Sequence, residues 1–456
     1  MQATVRFPDS NTQERRYILK EIFETRLGLS LEWICEPRHN TVISSGPRCL
    51  FITDGFLSTA EAQWLKLESM PADPLWKKTR NPDAARLPVL PTRGERSAEI
   101  AEDEDGIRIP FDILGSAFFF LSRYEEVANP VEDQFQRYPA EAAYAVRHGF
   151  IDRPVVDEYV ALIRDCVKSL WPQHQPGCRE FRMEVSHDVD LPLRFRWASP
   201  FWLVGGCVKE FLKSKSFPKM MERIACWYHV RIRGRVSKDP YNNFSRIMDC
   251  SEQIGLSSAF YFITDRPAGV RDAHYKIDDP FIKQLISDIA ARGHEIGIHP
   301  SFNSFLDGDQ MHRELSRLQT VCQEMGVTQA KWGGRQHYLR WKTPFTYRNW
   351  EASGASYDST MGFAQVAGFR CGTSMEFLPF DLLSRTTLGI VERPLIVMDT
   401  TIMNHMGLGT TPQALEYSTK LKNRCKEHRG VFTLLWHNSN LTSEEQWNLY
   451  TGILNA

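Results

Sequence analysis

From Ser257 onward the chain alternates regularly between short apolar segments and longer amphipathic ones. Residues 257–264 are typical of a strand, and Asp279-Pro280 then begins a helix that is expected to end at Gly293. Further strands are predicted at 294–299, near Tyr357, at 390–392 and at 431–436, with a helix at 311–325. Repeated strand–helix units in one linear order favour a parallel sheet or barrel, in which chemistry gathers at the carboxyl ends of the strands.

The first part of the chain has a less regular pattern. A helix is predicted at 13–29, strands at 31–34 and 49–52, a long loop at 81–105, a buried helix starting near Pro110, and an amphipathic helix at 155–171. The polar, Gly-containing stretch that follows resembles a linker. We therefore predict a smaller mixed α/β domain at 1–178, without a sequence-derived function, and a second domain at 179–456.

Composition excludes several classes of protein. Hydrophobic residues make up 42% and charged residues 24%, as in ordinary globular proteins, and a formal charge of −1 gives no reason to expect nucleic acid as a partner. Ten scattered cysteines without a CxxC pair argue against a disulfide scaffold or a zinc ribbon. The polar stretch 1–16 and the lack of a long apolar window predict no signal peptide and no membrane span, hence a cytoplasmic protein.

Two carboxylates follow the apolar run at 181–185, within Ser186-His187-Asp188-Val189-Asp190. If the strand continues through them, alternation places Asp188 and Asp190 on the same side of the backbone and His187 on the other. Paired carboxylates at the carboxyl end of a strand are suited to holding a metal or a water. The sequence therefore predicts a candidate site here.

Three later segments also end an apolar run on a polar group, at His299, at Arg335 and at His437. A metal hydrolase needs a mixed nitrogen and oxygen ligand set, a base for water and an acid for the leaving group. One aspartate with one or two histidines can supply the ligands, and the second aspartate and another histidine can supply base and acid. Arg335 can keep the base ionised, because a nearby cation favours a charged carboxylate.

Five segments occur in a definite order: Asp188-Val189-Asp190, Gly-His-Glu-Ile-Gly-Ile-His at 293–299, the Arg335 segment, Tyr357-Asp358-Ser359-Thr360, and Leu-Leu-Trp-His at 434–437. In this order they resemble the polysaccharide deacetylases of carbohydrate esterase family 4, which carry the NodB homology domain. The resemblance covers about residues 180–440. The layout is similar to divergent members associated with bacterial surface-polysaccharide gene clusters. It implies a distorted (β/α) barrel with seven strands for the second domain.

The resemblance also implies roles for individual residues. Asp188 matches the catalytic base, Asp190 the metal-binding acid, His299 the first histidine ligand, Arg335 the arginine that orients the base, and His437 the acid that protonates the leaving amine. Asp358 would be a polar residue near the site, coupled to His437. The backbone N–H of Tyr338 is expected to contact the substrate oxyanion, and Trp436 is expected to contact the substrate. The implied cofactor is a divalent metal, with zinc as the expected ion.

Two positions depart from the family pattern. The family usually has a second histidine four residues after the first, where this chain has Asn303, a poor zinc ligand whose carbonyl oxygen can bind harder ions. The position after Arg335 and Gln336 is usually proline and is His337 here. We hypothesise that His337 supplies the missing ligand, so that Asp190, His299 and His337 form the metal site.

A basic stretch interrupts the second domain at about 198–240. It holds nine basic residues, Lys209, Lys213, Lys215, Lys219, Arg223, Arg231, Arg233, Arg235 and Lys238, against the acidic Glu210 and Glu222. One interpretation is a solvated helical insertion that covers one side of the core. The other is a patch that lies on anionic lipid or holds a phosphate-bearing substrate.

The resemblance implies a metal-dependent deacetylase that removes an N-acetyl group from an N-acetylated sugar or glycan during surface-polysaccharide assembly. A nucleotide-linked or lipid-linked glycan is the expected substrate, with the protein in the cytoplasm or peripheral at the inner face of the membrane. The alternative is a catalytically degenerate member that binds glycan or scaffolds an assembly, which the Asn303 departure favours. A hydrolase or lyase of other specificity remains a third reading, because a fold does not determine a function.

Overall fold

The structure is a computed structural model that describes residues 1–80, 85–91, 99–175, 177, 179–198 and 200–456, with the backbone alone at 202, 209–211, 213, 214 and 270. The helices are α1 Thr12–Leu19, α2 Ile113–Leu121, α3 Tyr124–Ala128, α4 Tyr144–Arg147, α5 Val155–Leu170, α6 Pro200–Ser214, α7 Phe217–Trp227, α8 Phe244–Gln253, α9 Pro280–Ala291, α10 Gly308–Glu324, α11 Phe345–Ser353, α12 Pro412–Glu427 and α13 Glu444–Asn455. Segments of π-helix occur at Lys20–Arg26, Tyr228–Ile232 and Thr401–His405.

The strands are β1 Gln2–Phe7, β2 Ser30–Cys35, β3 Asn40–Ser44, β4 Cys49–Thr53, β5 Leu75–Lys77, β6 Leu87–Val89, β7 Ala101–Glu102, β8 Gly106–Ile109, β9 Arg182–Val189, β10 Ala259–Phe262, β11 Glu295–Ile298, β12 Gly333–Gly334, β13 Tyr357–Asp358, β14 Phe380–Asp381, β15 Thr386–Thr387, β16 Val391–Glu392, β17 Val397–Met398 and β18 Val431–Leu435. The chain divides into two compact units, each discontinuous in sequence. The first unit contains 1–182, 339–396 and 420–432, and the second contains 183–338, 397–419 and 433–456.

The first unit is built on a mixed sheet with the order β2-β1-β3-β4-β8-β7. Buried charged groups join its N-terminal part to the segment 339–396: the Arg370 guanidinium lies 2.8 Å from the Glu126 carboxylate, and Asp157 accepts a hydrogen bond from the Ser374 backbone N–H at 2.8 Å. Buried charges are stable only when such partners are present. These contacts explain why the unit is not one continuous stretch, whereas the linear boundary at 178 and 179 stays a prediction.

Several N-terminal elements differ in detail from the sequence-based expectation. The helix predicted at 13–29 begins as α1 and continues as the π-helix Lys20–Arg26. The buried helix predicted near Pro110 is α2, and its start is set by Asp112, whose carboxylate accepts a hydrogen bond from the Gly115 N–H at 2.7 Å. The loop predicted at 81–105 lies partly outside the described residues, as does position 178, and its described part contains β6 and β7.

The second unit contains strands in the order β12-β11-β10-β9-β18-β17. The pairings of β9 with β10, β10 with β11, β11 with β12, and β17 with β18 are parallel. The expected mixed α/β class and the parallel sheet are therefore confirmed. Closure of the sheet into a seven-stranded barrel stays a prediction.

Helices of the second unit follow the capping signals in the sequence. Asp279 caps α9 by accepting a hydrogen bond from the Phe281 N–H at 2.9 Å, and the helix ends before Gly293, which has a φ of 78°. The helix predicted at 311–325 starts earlier, as α10, because the Asp307 carboxylate accepts from the Gln310 N–H at 2.9 Å. Among the described residues, no helix combines the length and apolar character needed to cross a membrane.

The pairing of β11 with β12 depends on a glycine. A Cβ atom at Gly334 would lie 1.8 Å from the Ile298 carbonyl oxygen, which itself accepts a hydrogen bond from the Arg335 N–H at 3.1 Å. We expect Gly334→Ala to lower the free energy of unfolding by about 2 kcal/mol or more, because the backbone must shift to relieve the contact. The midpoint of urea unfolding measures this change. The control is Gly205→Ala in α6, where a Cβ meets nothing within 4 Å, and an equal loss in both variants would contradict the explanation.

Candidate functional site

Strand β9 carries the first two carboxylates of the site. It runs through Asp188, whose Cα pairs with that of Tyr261 on β10, and it ends at Val189, so that Asp190 lies one residue beyond the strand. His187 points to the other side: its Nδ1 lies 2.7 Å from the Trp436 carbonyl oxygen, and its ring stacks on Phe260. Alternation along the strand thus separates a packing histidine from the two acids, as the sequence predicts.

Arg335 holds Asp188. The Nη1 atom of Arg335 donates to Oδ1 of Asp188 at 2.8 Å, and both side chains are almost entirely buried. The guanidinium also lies over the Tyr261 ring, 5.2 Å from its centroid. A guanidinium partner compensates the cost of removing the charge of a buried carboxylate from water.

His299 is fixed in one tautomer by a backbone contact. Its Nδ1 lies 2.5 Å from the Arg335 carbonyl oxygen, so that Nδ1 carries the proton and donates it. The other ring nitrogen, Nε2, then faces the two acids, 3.3 Å from Oδ1 of Asp190 and 3.7 Å from Oδ2 of Asp188. This is the arrangement in which histidine usually binds a metal.

Asp190, His299 and His337 form the cluster that could hold a metal ion. One ligand atom from each lies within 4.8 Å of the others, and Nε2 of His337 is 3.8 Å from Oδ1 of Asp190. With bond lengths of about 2.0–2.2 Å, ligand atoms around a tetrahedral zinc ion are expected roughly 3–4 Å apart.

One buried polar atom of this cluster supports a fit to a metal. Oδ1 of Asp190 makes no hydrogen bond among the described residues. Burial raises the pKa of Asp190, but the neighbouring histidines outweigh it and hold that pKa well below its usual range. A buried, ionised carboxylate oxygen without a hydrogen bond is costly unless a cation binds it.

His437 lies near Oδ2 of Asp190, whereas His299 and His337 lie near Oδ1. Its ring is held by Asp399. Nδ1 of His437 donates to Oδ1 of Asp399 at 2.8 Å, and Nε2 lies 3.7 Å from Oδ2 of Asp190. Asp399 also accepts from the His437 backbone N–H at 2.8 Å. Burial lowers the pKa of His437, but the charges of Asp399, Asp190 and Asp188 and the Asp399 hydrogen bond outweigh it and raise that pKa to about 10.

Within the second unit the carboxylate that holds His437 is that of Asp399, and the predicted coupling of His437 to Asp358 stays a prediction. Asp358 belongs to the first unit, where its buried carboxylate accepts from the N–H and hydroxyl of Thr360 at 2.9 and 2.5 Å. No role for Asp399 was predicted from the sequence. A signal for it was present, since it follows β17 as Asp190 follows β9 and His437 follows β18.

Two further acids that sequence reasoning missed support the cluster. Asp272 lies behind His337, with its Oδ1 3.7 Å from Nδ1 of that ring, and it accepts hydrogen bonds from the N–H groups of Ala268 and Phe302. Glu314 of α10 holds the loop after β11, since its carboxylate accepts from the Ser301 N–H at 2.7 Å. Burial raises the pKa of Glu314 to about 7, although the Ser301 hydrogen bonds oppose this shift.

Three predicted site residues do not belong to the cluster of Asp190, His299 and His337. Asn303 is exposed in the turn before the 3₁₀ segment Ser304–Leu306, and its role as a ligand stays a prediction. Trp436 is fully buried and its Nε1 donates to the Asn440 carbonyl oxygen at 3.2 Å, so its ring packs rather than facing solvent. Tyr338 is 39% exposed, with a φ of 60°, and its ring packs edge-on against Phe302 and His337.

The second unit has a cavity of about 290 Å³. It is lined by Leu191, the residue after Asp190, and by Leu193, Arg194, Trp197, Ala198, Tyr241 and His274. The Arg194 guanidinium lies 5.7 Å from the centroid of the Tyr241 ring, and Trp197 Nε1 donates to Asp279 at 3.3 Å. Partly exposed aromatic rings with a cation among them are typical of a ligand site.

Comparisons with known proteins cover different parts of the chain. Residues 4–172 match a family model described as "Family of unknown function (DUF7033)". No curated protein matches significantly. A Mycobacterium smegmatis protein described provisionally as a polysaccharide deacetylase is similar in structure, at 16% identity and a TM-score of 0.38, over 62% of this chain and 85% of that one. A protein described as Puue allantoinase is similar over the same shares, at 10% identity and a TM-score of 0.36. Likenesses this weak carry no argument about function, which depends on the site geometry.

The position of Asp272 predicts an effect on metal binding. A carboxylate beside the far nitrogen of a histidine ligand orients the ring and raises its basicity, and losing it typically costs about 10–100-fold in metal affinity. We expect Asp272→Asn to weaken zinc binding by this amount and His337→Ala to abolish metal retention, both measured by competition with a chelating dye. The control is Asp265→Asn, an exposed acid that hydrogen-bonds Gln310. Full metal retention by His337→Ala would refute its assignment as a ligand.

Proposed function

We propose that the protein is a metal-dependent hydrolase that removes an N-acetyl group from an N-acetylated sugar or glycan intermediate in surface-polysaccharide biosynthesis. The observation that supports the proposal is that two groups near one cluster are held by partners of opposite charge. Asp188 is held by Arg335, and His437 is kept cationic by Asp399, with Nε2 of His437 3.7 Å from Oδ2 of Asp190. A base and an acid near a candidate metal site are what amide hydrolysis requires.

Asp188 acts as the base. Its Oδ1 is occupied by Arg335, which leaves Oδ2, the oxygen nearer His299, to take a proton from the attacking water. The oxygen of that water adds to the acetamide carbonyl carbon. A divalent metal held by Asp190, His299 and His337 supplies Lewis-acid polarisation of that carbonyl when it is bound. Arg335 contributes by keeping Asp188 oriented before the proton transfer.

His437 acts as the acid. Its Nδ1 proton is held by Asp399, so the proton on Nε2 is the one available to the nitrogen that leaves as the carbon–nitrogen bond breaks. The products are acetate and a free amine on the sugar. Because its pKa is raised to about 10, His437 is protonated at neutral pH and ready to donate. The oxyanion is assigned, as in the sequence-based prediction, to the Tyr338 backbone N–H.

The cavity lined by Leu191, Trp197 and Tyr241 supports a sugar as the substrate. Trp197 and Tyr241 offer aromatic faces on which a sugar ring can pack, and Arg194 offers a cation for a phosphate or carboxylate on the same molecule. A nucleotide-linked or lipid-linked glycan combines these features. We assign the role first expected of Trp436 to this pair of rings, because Trp436 is fully buried.

Release of acetate tests the proposal. The zinc-loaded protein is incubated with N-acetylated oligosaccharides, with a nucleotide-linked N-acetylated sugar and with a lipid diphosphate-linked one, and acetate is measured by a coupled enzymatic assay. We expect release from one of these classes, and a loss of about 10²–10⁴-fold in kcat for Asp188→Asn, which removes the base while preserving the shape of the side chain. Metal binding without acetate release from any class would instead favour the glycan-binding alternative.

Asp399 gives a second, pH-dependent prediction. Removing its charge in Asp399→Asn lowers the pKa of His437, because the largest anionic partner of the imidazolium is lost. Since the acid must be protonated, we expect the alkaline limb of the kcat profile to move to lower pH as well as a fall in kcat. Asp381→Asn, at a buried aspartate of the first unit that pairs with Arg348, is the control. An unchanged alkaline limb would exclude His437 as the titrating acid.

A further inference from the structure

The helical insertion of the second unit has little contact with a core. Among the described side chains of α6, those of Leu203 and Cys207 are buried, and α7 has no buried residue. The two helices pack on each other, and Trp227 donates from its Nε1 to the Ala198 carbonyl oxygen at 3.4 Å at the base of the hairpin. We name residues 200–238 the basic hairpin.

One face of α6 presents apolar side chains to solvent. Phe201, Val204, Val208 and Leu212 are 90%, 62%, 54% and 72% exposed. Their spacing of three, four and four residues places them along a single stripe of the helix. Exposed apolar residues are ordinary when single, whereas a continuous stripe marks a surface that binds another apolar phase.

The apolar exposure continues along the rest of the basic hairpin. Phe217 and Met221 are 59% and 47% exposed on α7, and Tyr228 and Ile232 are 45% and 58% exposed in the π-helical segment that follows. An open apolar groove between α6 and α7 is lined by residues that include Val204, Leu212 and Ile224.

Exposed basic residues accompany these apolar side chains. Lys215 and Lys219 flank Phe217, and Arg231, Arg233 and Arg235 follow Tyr228. Over the whole basic hairpin the sequence has nine lysines and arginines against two glutamates, in a chain whose formal charge is −1. The positive charge is therefore concentrated where the apolar side chains are exposed.

We infer that the basic hairpin docks on an anionic lipid bilayer, lying in the interface without crossing it. Convex helices with exposed aromatic and aliphatic side chains enter the boundary between head groups and acyl chains, and neighbouring lysines and arginines bind the anionic head groups. A second copy of the chain fits less well, because a two-fold interface would place the same basic residues against one another. The inference does not depend on the proposed function.

Vesicle co-sedimentation tests the docking. The full chain is mixed with vesicles of phosphatidylcholine and phosphatidylglycerol, and separately with vesicles of phosphatidylcholine alone. We expect binding to the anionic vesicles, at least about tenfold weaker binding to the neutral ones, and weakening by added salt. No binding to anionic vesicles, or equal binding to both kinds, would overturn the inference.

Two variants identify the surface. Phe201→Glu combined with Leu212→Glu should reduce binding by at least about tenfold, since it replaces apolar contacts with charges that anionic lipid repels. Arg231→Glu with Arg233→Glu should remove the preference for anionic vesicles. The matched control is Leu67→Glu, at a leucine 62% exposed in the first unit, which should bind as the parent does.

Melting temperature and metal content show whether the variants remain folded, since none of these positions belongs to the candidate metal site. Analytical ultracentrifugation of the parent and of the Phe201→Glu, Leu212→Glu variant completes the test. A parent that self-associates in solution without binding vesicles, and a variant that is monomeric, would assign the surface to a second copy and overturn the inference. Unaltered vesicle binding by the variant would do so as well.

Discussion

The ion pair between Arg335 and Asp188 is the contact on which the site depends. Both groups are buried, and each compensates the cost of removing the charge of the other from water. The carbonyl oxygen of the same arginine accepts a hydrogen bond from the Nδ1–H of His299, which directs the other nitrogen of that ring toward Asp190. One residue therefore orients both the proposed base and a candidate metal ligand, and the remaining groups, His337 and His437, lie near the two oxygens of the Asp190 carboxylate.

The residues of the candidate site differ in how far their positions could be predicted from the sequence. Alternation along β9 was sufficient to separate His187 from Asp188 and Asp190, because the period of a strand is exact. Grouping His337 with Asp190 and His299 rested on a gap in a family pattern, and the structure brings the three together. Asp399 and Asp272 were not identified as partners of His437 and His337, because a contact between residues 38 or 65 positions apart follows from sheet order and loop path rather than from any local signal. Trp436 was predicted to contact the substrate, whereas its ring is fully buried just after the end of a strand and packs in the core.

The division of the chain into two units shows the same limit of sequence-based prediction, because it depends on contacts between distant segments. The sequence suggested a boundary at a polar linker, as composition usually does. That boundary stays a prediction, and the first unit also takes in 339–396, where Arg370 and Ser374 compensate the buried carboxylates of Glu126 and Asp157. Linker composition reports where the chain is exposed, whereas pairing of buried charges decides which distant segments must fold together. An excised fragment ending near 178 would leave those two carboxylates without these partners.

The hydrogen bond from His299 to the Arg335 carbonyl has a consequence for how the site responds to a ligand. Because the His299 imidazole is hydrogen-bonded to the Arg335 carbonyl oxygen, a displacement of the ring is expected to move the peptide that positions the guanidinium. Binding of an ion by the cluster and binding of a substrate at Asp188 are then thermodynamically coupled, and the coupling free energy is the same in both directions. A substrate that presses on Asp188 would in this way change the affinity for the ion, although it touches none of the ligands.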